Sequence, residues 1–122
     1  MNILVTGGLG LIGHHVVSKL QKLGHQVSVL DTRTNYGIID PEEIKYLIEE
    51  RLKKIDDPNH FIYPIDITMA QNVDWAFATH EPEIVIHMAS FPRQKVVNAN
   101  PAWGSRVMSE GLLNLLEASN TY

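Results

Sequence analysis

MNILVTGGLGLIGHHVVSKLQKLGHQVSVLD, residues 1–31, carries a strand, a glycine-rich turn, a helix and a second strand in immediate succession. Asn2–Thr6 is a short β-rich run stopped by glycine, and Gly7, Gly8, Gly10 and Gly13 follow within seven positions. From Leu11 to Leu23 the apolar residues Leu11, Ile12, Val16, Leu20 and Leu23 recur at helical spacing, with Gly24 as the C-terminal stop. Gln26–Leu30 then predicts a second strand ending at Asp31. Two spacings fit the glycines: Gly8, Gly10, Gly13 as G-x-G-x-x-G, or Gly7, Gly10, Gly13 as G-x-x-G-x-x-G. Either way, a strand feeding a glycine turn and a helix N-terminus is an anion site, because exposed N–H groups and the positive end of the helix dipole face one point. Asp31, about 20 positions beyond the glycines at the end of the next strand, completes a dinucleotide fingerprint by accepting hydrogen bonds from the adenosine ribose. Its charge repels a 2′-phosphate, which favours NAD over NADP, whereas Arg33 two residues on keeps the phosphorylated cofactor open. A tight structural turn without ligand is the alternative reading of the glycines, and an ordinary turn residue that of Asp31.

Working outward, the alternation continues. The polar stretch Asp31–Gly37 leads to Asp40 as N-cap, Pro41 at the first helical position and Glu43 completing a capping box. Ile44, Leu47, Ile48, Leu52 and Ile55 then form an apolar stripe, with the charges of Glu42–Lys54 on the wet face and a helix end near residues 56–59. Phe61–Ile65 predicts a third strand, Ala70–Thr79 a helix, and Glu83–His87 a fourth strand whose continuous apolar centre suits a parallel sheet. A loop containing FPRQK (residues 91–95) precedes a last helix from Ala102 that carries Val107, Leu112, Leu113, Leu115 and Leu116. This order predicts an α/β fold: a Rossmann-type, doubly wound parallel sheet of about four strands in the order 3-2-1-4, in three αβα layers, with residues 1–122 as one domain.

Composition narrows the function classes. At 122 residues, with 44% hydrophobic and 20% charged residues, the chain reads as globular, and a net charge of −4 supplies no basic stripe for nucleic acid. There is no cysteine, hence no disulfide or thiolate site, and no leader or membrane-length apolar run is visible. The cytoplasm is the expected compartment. His14, His15, His25, His60, His80 and His87 form no HExxH or paired metal spacing, so no metal site is expected. His15 is read as helix packing, and His87 as a satisfied histidine at a strand end or a nicotinamide contact. Arg93 and Lys95 are read either as phosphate or sugar-nucleotide contacts or as a solvated loop.

Five motifs in order across the whole chain resemble the extended short-chain dehydrogenase/reductases of the NAD-dependent epimerase/dehydratase family, which act on nucleoside-diphosphate sugars and include UDP-galactose 4-epimerase. TGGLGLIG (residues 6–13) is similar to the family's TGGxGFIG loop, and Asp31 to its ribose-binding aspartate. PIDIT (64–68) resembles its GDI stretch, VIHMAS (85–90) its VIHLAA strand end, and the segment 100–119 its NPxxYxxxNVxGTxNLLEAA. The resemblance implies a cofactor site of Gly7, Gly10, Leu11, Ile12 and Gly13, with Asp31, Thr32 and Arg33 at the ribose. It implies Asp66 and Ile67 at the adenine, and Met88, Ala89 and Ser90 beside the nicotinamide. Two positions depart from the pattern: the family's tyrosine falls on Gly104 and its asparagine on Met108.

The family's catalytic Ser/Thr and YxxxK pair have no counterpart here, since Tyr36, Tyr46, Tyr63 and Tyr122 lack a lysine four residues on. In that family the tyrosine acts as acid or base with its pKa lowered by the lysine. The expectation is a truncated, NAD-binding domain with no catalytic residues of its own. The alternatives are an enzyme completed in trans by a second chain carrying those groups, and a regulatory or structural module that has lost the cofactor. The fourth strand is expected as an apolar edge that pairs with another copy, or the last helix as a two-fold dimer contact.

Overall fold

In the computed structural model, residues 1–55 and 61–122 are described, and four parallel strands lie in the order β3-β2-β1-β4. Along the chain these are β1 (Asn2–Thr6), α1 (Gly13–Lys22), β2 (Gln26–Leu30), α2 (Pro41–Lys54), β3 (Phe61–Tyr63), α3 (Ala70–His80) and β4 (Ile84–His87). Two short helices follow, α4 (Gln94–Ala99) and α5 (Pro101–Ser105). The second runs through a wide helical turn, Arg106–Glu110, into α6 (Gly111–Thr121). The expected order 3-2-1-4 and the Rossmann-like architecture are observed.

Side-chain alternation along β1 divides the core into two layers. Ile3 and Val5 pack with Val17 of α1, Val27 and Val29 of β2, and Ile48 of α2. Leu4 faces the other way, onto Val73, Ala76 and Phe77 of α3 and Leu115 and Ala118 of α6. Leu4, Val5, Val17 and Val29 are fully buried, each contributing about 1.5–3 kcal/mol through burial. With helices on both faces and parallel pairing throughout, Thr6, Leu30, Tyr63 and His87 all end at the same edge of the sheet.

Element ends differ from the sequence expectation for identifiable reasons. β3 stops at Tyr63, because Pro64 has no N–H to continue the ladder; Ile65 N–H instead turns back to Tyr63 O at 2.8 Å. α1 starts at Gly13, so Leu11 and Ile12 are not on its buried stripe but are 71% and 65% exposed in the loop before it. The FPRQK stretch is only partly loop: Gln94 and Lys95 open α4, a six-residue helix too short to show an apolar period. The wide turn buries Val107 and α6 buries Leu115, but Leu112, Leu113 and Leu116 of α6 are exposed. Asp40 caps α2 by accepting Glu42 N–H at 2.9 Å. The expected helix end at 56–59 and His60 lie outside the described residues. No helix of the described residues is long and apolar enough to cross a membrane.

Candidate functional site

Above the C-terminal ends of the strands lies a cleft of about 770 Å³. Gly7, Gly10, Leu11, Ile12, Gly13, Asp31, Thr32, Arg33, Asp66, Ile67, Met88, Ala89 and Ser90 all line it. Four separate loops supply them, and they converge because β1 lies between β2 and β4, so the connections after β1 and β4 leave to opposite sides of one crevice.

Of the two glycine spacings, Gly7, Gly10 and Gly13 line the cleft, and Gly8 does not. A Cβ on Gly8 would meet Val29 Cγ1 at 2.6 Å, so its smallness serves the packing of α1 on β2. Gly7 has φ +68°, and its Cβ would lie 2.7 Å from Ala89 N. At Gly10, by contrast, a Cβ would have only Gly7 O within 4 Å, at 3.1 Å, so one side of the loop stays open to the cleft. The loop is folded by Gly10 N–H donating to Gly7 O at 3.0 Å and His14 N–H to Gly10 O at 3.2 Å. The N–H groups of Leu11, Ile12 and Gly13 donate to no acceptor among the described residues, and no side chain caps α1. A helix start left uncapped in this way presents its unpaired donors and positive dipole end to an anion.

Asp31 ties this loop to β2. Its Oδ2 accepts Leu9 N–H at 2.9 Å and its Oδ1 accepts Arg33 N–H at 2.7 Å. Each carboxylate oxygen keeps further lone-pair capacity for a ligand hydroxyl. Leu9 is buried, and its carbonyl accepts from Arg51 Nη1 at 2.8 Å, so a charged side chain of α2 braces the loop from below. The expectation that the charges of α2 are all on its wet face is therefore corrected at Arg51. It stands three residues beyond Ile48 and four before Ile55, on the apolar face. That spacing was the available signal. Across the floor, Asp66 Oδ1 accepts Thr68 N–H at 2.9 Å and Thr68 Oγ1–H at 2.8 Å, while Asn114 Nδ2 holds Ile67 O at 2.8 Å.

At the mouth, Tyr36 from the β2–α2 connection reaches the opposite lip, where its ring centroid is 4.2 Å from Phe91 and 4.9 Å from Trp103. Burial, then the carboxylates of Asp66 and Asp31, push the Tyr36 hydroxyl above the ordinary phenol pKa. Sequence reasoning did not single out Tyr36 or Trp103, since ring contacts between distant loops leave no local pattern. Arg33, Tyr36 and Arg93 each hold left-handed φ (62°, 57° and 68°) at the cleft. Of the FPRQK cations, Arg93 lines the cleft and Lys95 does not.

His14 and His87 take structural positions. His14, not His15, is the packed one: it is 3% exposed and its Nδ1–H donates to Gly10 O at 2.9 Å, while His15 is exposed. Burial lowers the His14 pKa. Buried Thr6 Oγ1 accepts N–H from Ala89 at 3.2 Å and shares that of Met88, 3.2 Å from Oγ1 and 3.0 Å from Thr6 O. Thr6 Oγ1 lies 2.7 Å from His87 Nδ1, and with N–H groups already directed at it the hydroxyl is placed to donate to a neutral imidazole. Desolvation lowers the His87 pKa, in keeping with that form. His87 is thus tied through Thr6 to the backbone of Met88 and Ala89 and is not itself in the cleft lining. Met108, where the family pattern has asparagine, is half exposed and its Sδ lies 3.4 Å from Phe91 N. No group of three potential metal ligands occurs among the described residues.

Protein CapI of Staphylococcus aureus is 30% identical over 122 residues, which cover 100% of this chain and 35% of that protein. UDP-glucose 4-epimerase of Neisseria meningitidis serogroup A is 41% identical over 88 residues, 72% of this chain and 24% of that one. Among solved structures, Thermotoga maritima UDP-glucose 4-epimerase with UDP-glucose superimposes with TM-score 0.79 at 33% identity, covering 100% of this chain and 35% of that one. Thermus thermophilus UDP-glucose 4-epimerase in complex with NAD gives 0.78 at 31% identity, with coverage of 100% and 34%. The chain spans about a third of the length of these full-coverage relatives. The sequence model of the NAD dependent epimerase/dehydratase family matches residues 3–122, and the chain belongs to that family.

Proposed function

We propose that this chain binds NAD and forms the cofactor-holding part of a nucleoside-diphosphate-sugar epimerase or dehydratase, with the proton-transfer groups supplied from outside these 122 residues. The observation that carries the reading is the row of unpaired N–H groups at Leu11, Ile12 and Gly13 in the same cleft as the Asp31 carboxylate. The donor chemistry fits a dinucleotide. Backbone donors on the open side of Gly10 receive the pyrophosphate, and Asp31 accepts from the adenosine ribose. Ile67 and Asp66 bound the adenine, while Met88, Ala89 and Ser90 bound the nicotinamide side. When bound, the nicotinamide takes up and returns a hydride; the chain orients it and shields it from water. An NAD complex of a relative 31% identical supports the same cofactor class.

NAD is favoured over NADP because Asp31 already accepts two N–H groups as an anion, and its charge opposes a 2′-phosphate. Calorimetric titration of the chain with each dinucleotide tests this: NAD should bind at least tenfold more tightly than NADP, and no heat with either would remove the reading.

A second observation favours a covering partner. Among the described residues β4 pairs with β1 alone, Ile84 is 39% exposed, and Leu113 and Leu116 of α6 are 58% and 56% exposed. An apolar edge of this kind invites strand or helix pairing, and the occupant we favour for the isolated chain is a second copy. Sedimentation at micromolar concentration should give a dimer, and a clean monomer would rule out self-association through this face.

A further inference from the structure

We infer that residues 34–39 form a latch that Tyr36 closes over the bound dinucleotide, so that Tyr36 controls how fast the cofactor leaves. The inference rests on the dinucleotide reading above. Its ground is the way this segment is bonded. Asn35 Nδ2 donates to Ile39 O at 2.9 Å, Gly37 N–H to Asn35 Oδ1 at 2.9 Å, Tyr36 N–H to Thr34 Oγ1 at 3.3 Å and Ile38 N–H to Asn35 O at 3.2 Å. Among the described residues, every hydrogen bond of 34–39 closes within the segment. It is a self-contained turn, with no hydrogen bond to the rest of the described fold to break if it is displaced.

What ties it to the far lip is the Tyr36 ring, held between Phe91 and Trp103, which themselves meet at 5.3 Å between centroids. Phe91 is 3% exposed and packed in the body, and Trp103, 43% exposed, is on α5, so the ring of a loop residue rests on side chains that belong to other elements. β2 and β4 flank β1, so a bridge from the loop after β2 to the loop after β4 passes over the glycine turn between them. A dinucleotide stretched along the crevice lies beneath that bridge, and it cannot leave until the ring contacts part. Gly37, at φ +76° with nothing within 4 Å of where a Cβ would be, lies on the open side of the turn.

The test is the dissociation rate of the reduced dinucleotide, NADH, followed by its fluorescence when excess NAD displaces it from the preloaded chain. Wild type, Tyr36→Phe and Tyr36→Ala are compared. The phenylalanine variant keeps the stacking and should release NADH at the wild-type rate. The alanine variant loses two ring contacts, worth together roughly tenfold in an equilibrium constant, and should release it about tenfold faster with association little changed. Tryptic cleavage after exposed Arg33 should be slowed by NADH in wild type and much less so in Tyr36→Ala. Equal release rates from all three proteins would overturn the latch while leaving dinucleotide binding standing. Failure of wild type to bind NADH would overturn the function reading and the latch with it.

Discussion

Replacing Asp31 by alanine should weaken NAD binding by roughly 10- to 100-fold and lower folding stability by about 1–3 kcal/mol. The two effects have different origins. On the proposed reading affinity falls because the carboxylate assigned to the ribose hydroxyls is gone, and hydrogen bonds to a charged acceptor are about twice as strong as neutral ones. Stability falls because Leu9 N–H, now 2.9 Å from Asp31 Oδ2, is left without its acceptor beside a residue only 1% exposed. Asp31→Asn separates them: one acceptor oxygen remains to hold Leu9 N–H, so most of the stability returns, while the loss of charge still weakens NAD. In both variants the preference against NADP should narrow, since the repulsion of a 2′-phosphate disappears and Arg33 stays. Calorimetric titration with NAD and NADP, alongside urea unfolding, reads all three quantities. Unchanged NAD affinity in Asp31→Ala would place the ribose elsewhere.

The fold was legible because its signals are local and repeated. A β-rich run, glycines, an apolar helical stripe and a second strand specify a βαβ unit within thirty residues, and the remaining strands follow in the same alternation. The glycines and Asp31 were legible from the fingerprint, and Asp66, Ile67 and Met88–Ser90 from the family resemblance; all of them line one cleft because in a parallel sheet every residue just past a strand's C-terminal end arrives at the same edge. What the side chains do there was less accessible. Leu11 and Ile12 fit the helical period yet stand exposed in the loop, because the turn closed by Gly10 N–H on Gly7 O delays the helix to Gly13. Arg51 reads as a surface charge unless its spacing from Ile48 and Ile55 is followed round the helix. Hydropathy ranks neighbouring His14 and His15 alike, and only the direction each faces on α1 decides that His14 is the buried one. Tyr36 is the hardest case, since its meaning depends on Phe91 and Trp103, far along the chain, and on a left-handed backbone in a polar connection. Pairwise tertiary contact, not propensity, sets those details.

The glycines of the loop should separate into two kinds when each is changed to alanine. A Cβ on Gly13 would lie 2.1 Å from Gly7 O and 2.9 Å from Gly8 Cα, both backbone atoms that no rotamer change can move. Relief requires α1 to withdraw from the β1 end, and that disturbs Val17, fully buried against Val5 and Val29. The expected cost is about 3 kcal/mol or more, at the upper end of overpacking penalties, against a total stability of roughly 5–15 kcal/mol for a domain of this size. The melting temperature should then fall by about 10 °C or more. Gly10→Ala meets only Gly7 O, at 3.1 Å, with ordinary φ, and projects toward the open side of the cradle. It should leave the melting temperature within a few degrees, by the same size scaling, and reduce NAD affinity by about tenfold or more if, as proposed, the pyrophosphate approaches the backbone where the methyl group intrudes. Thermal unfolding and NAD titration of the two variants side by side check the division. A Gly13→Ala chain as stable as wild type would mean that α1 does not seat on the glycine turn as described, and a Gly10→Ala chain with full affinity would remove the pyrophosphate from this loop.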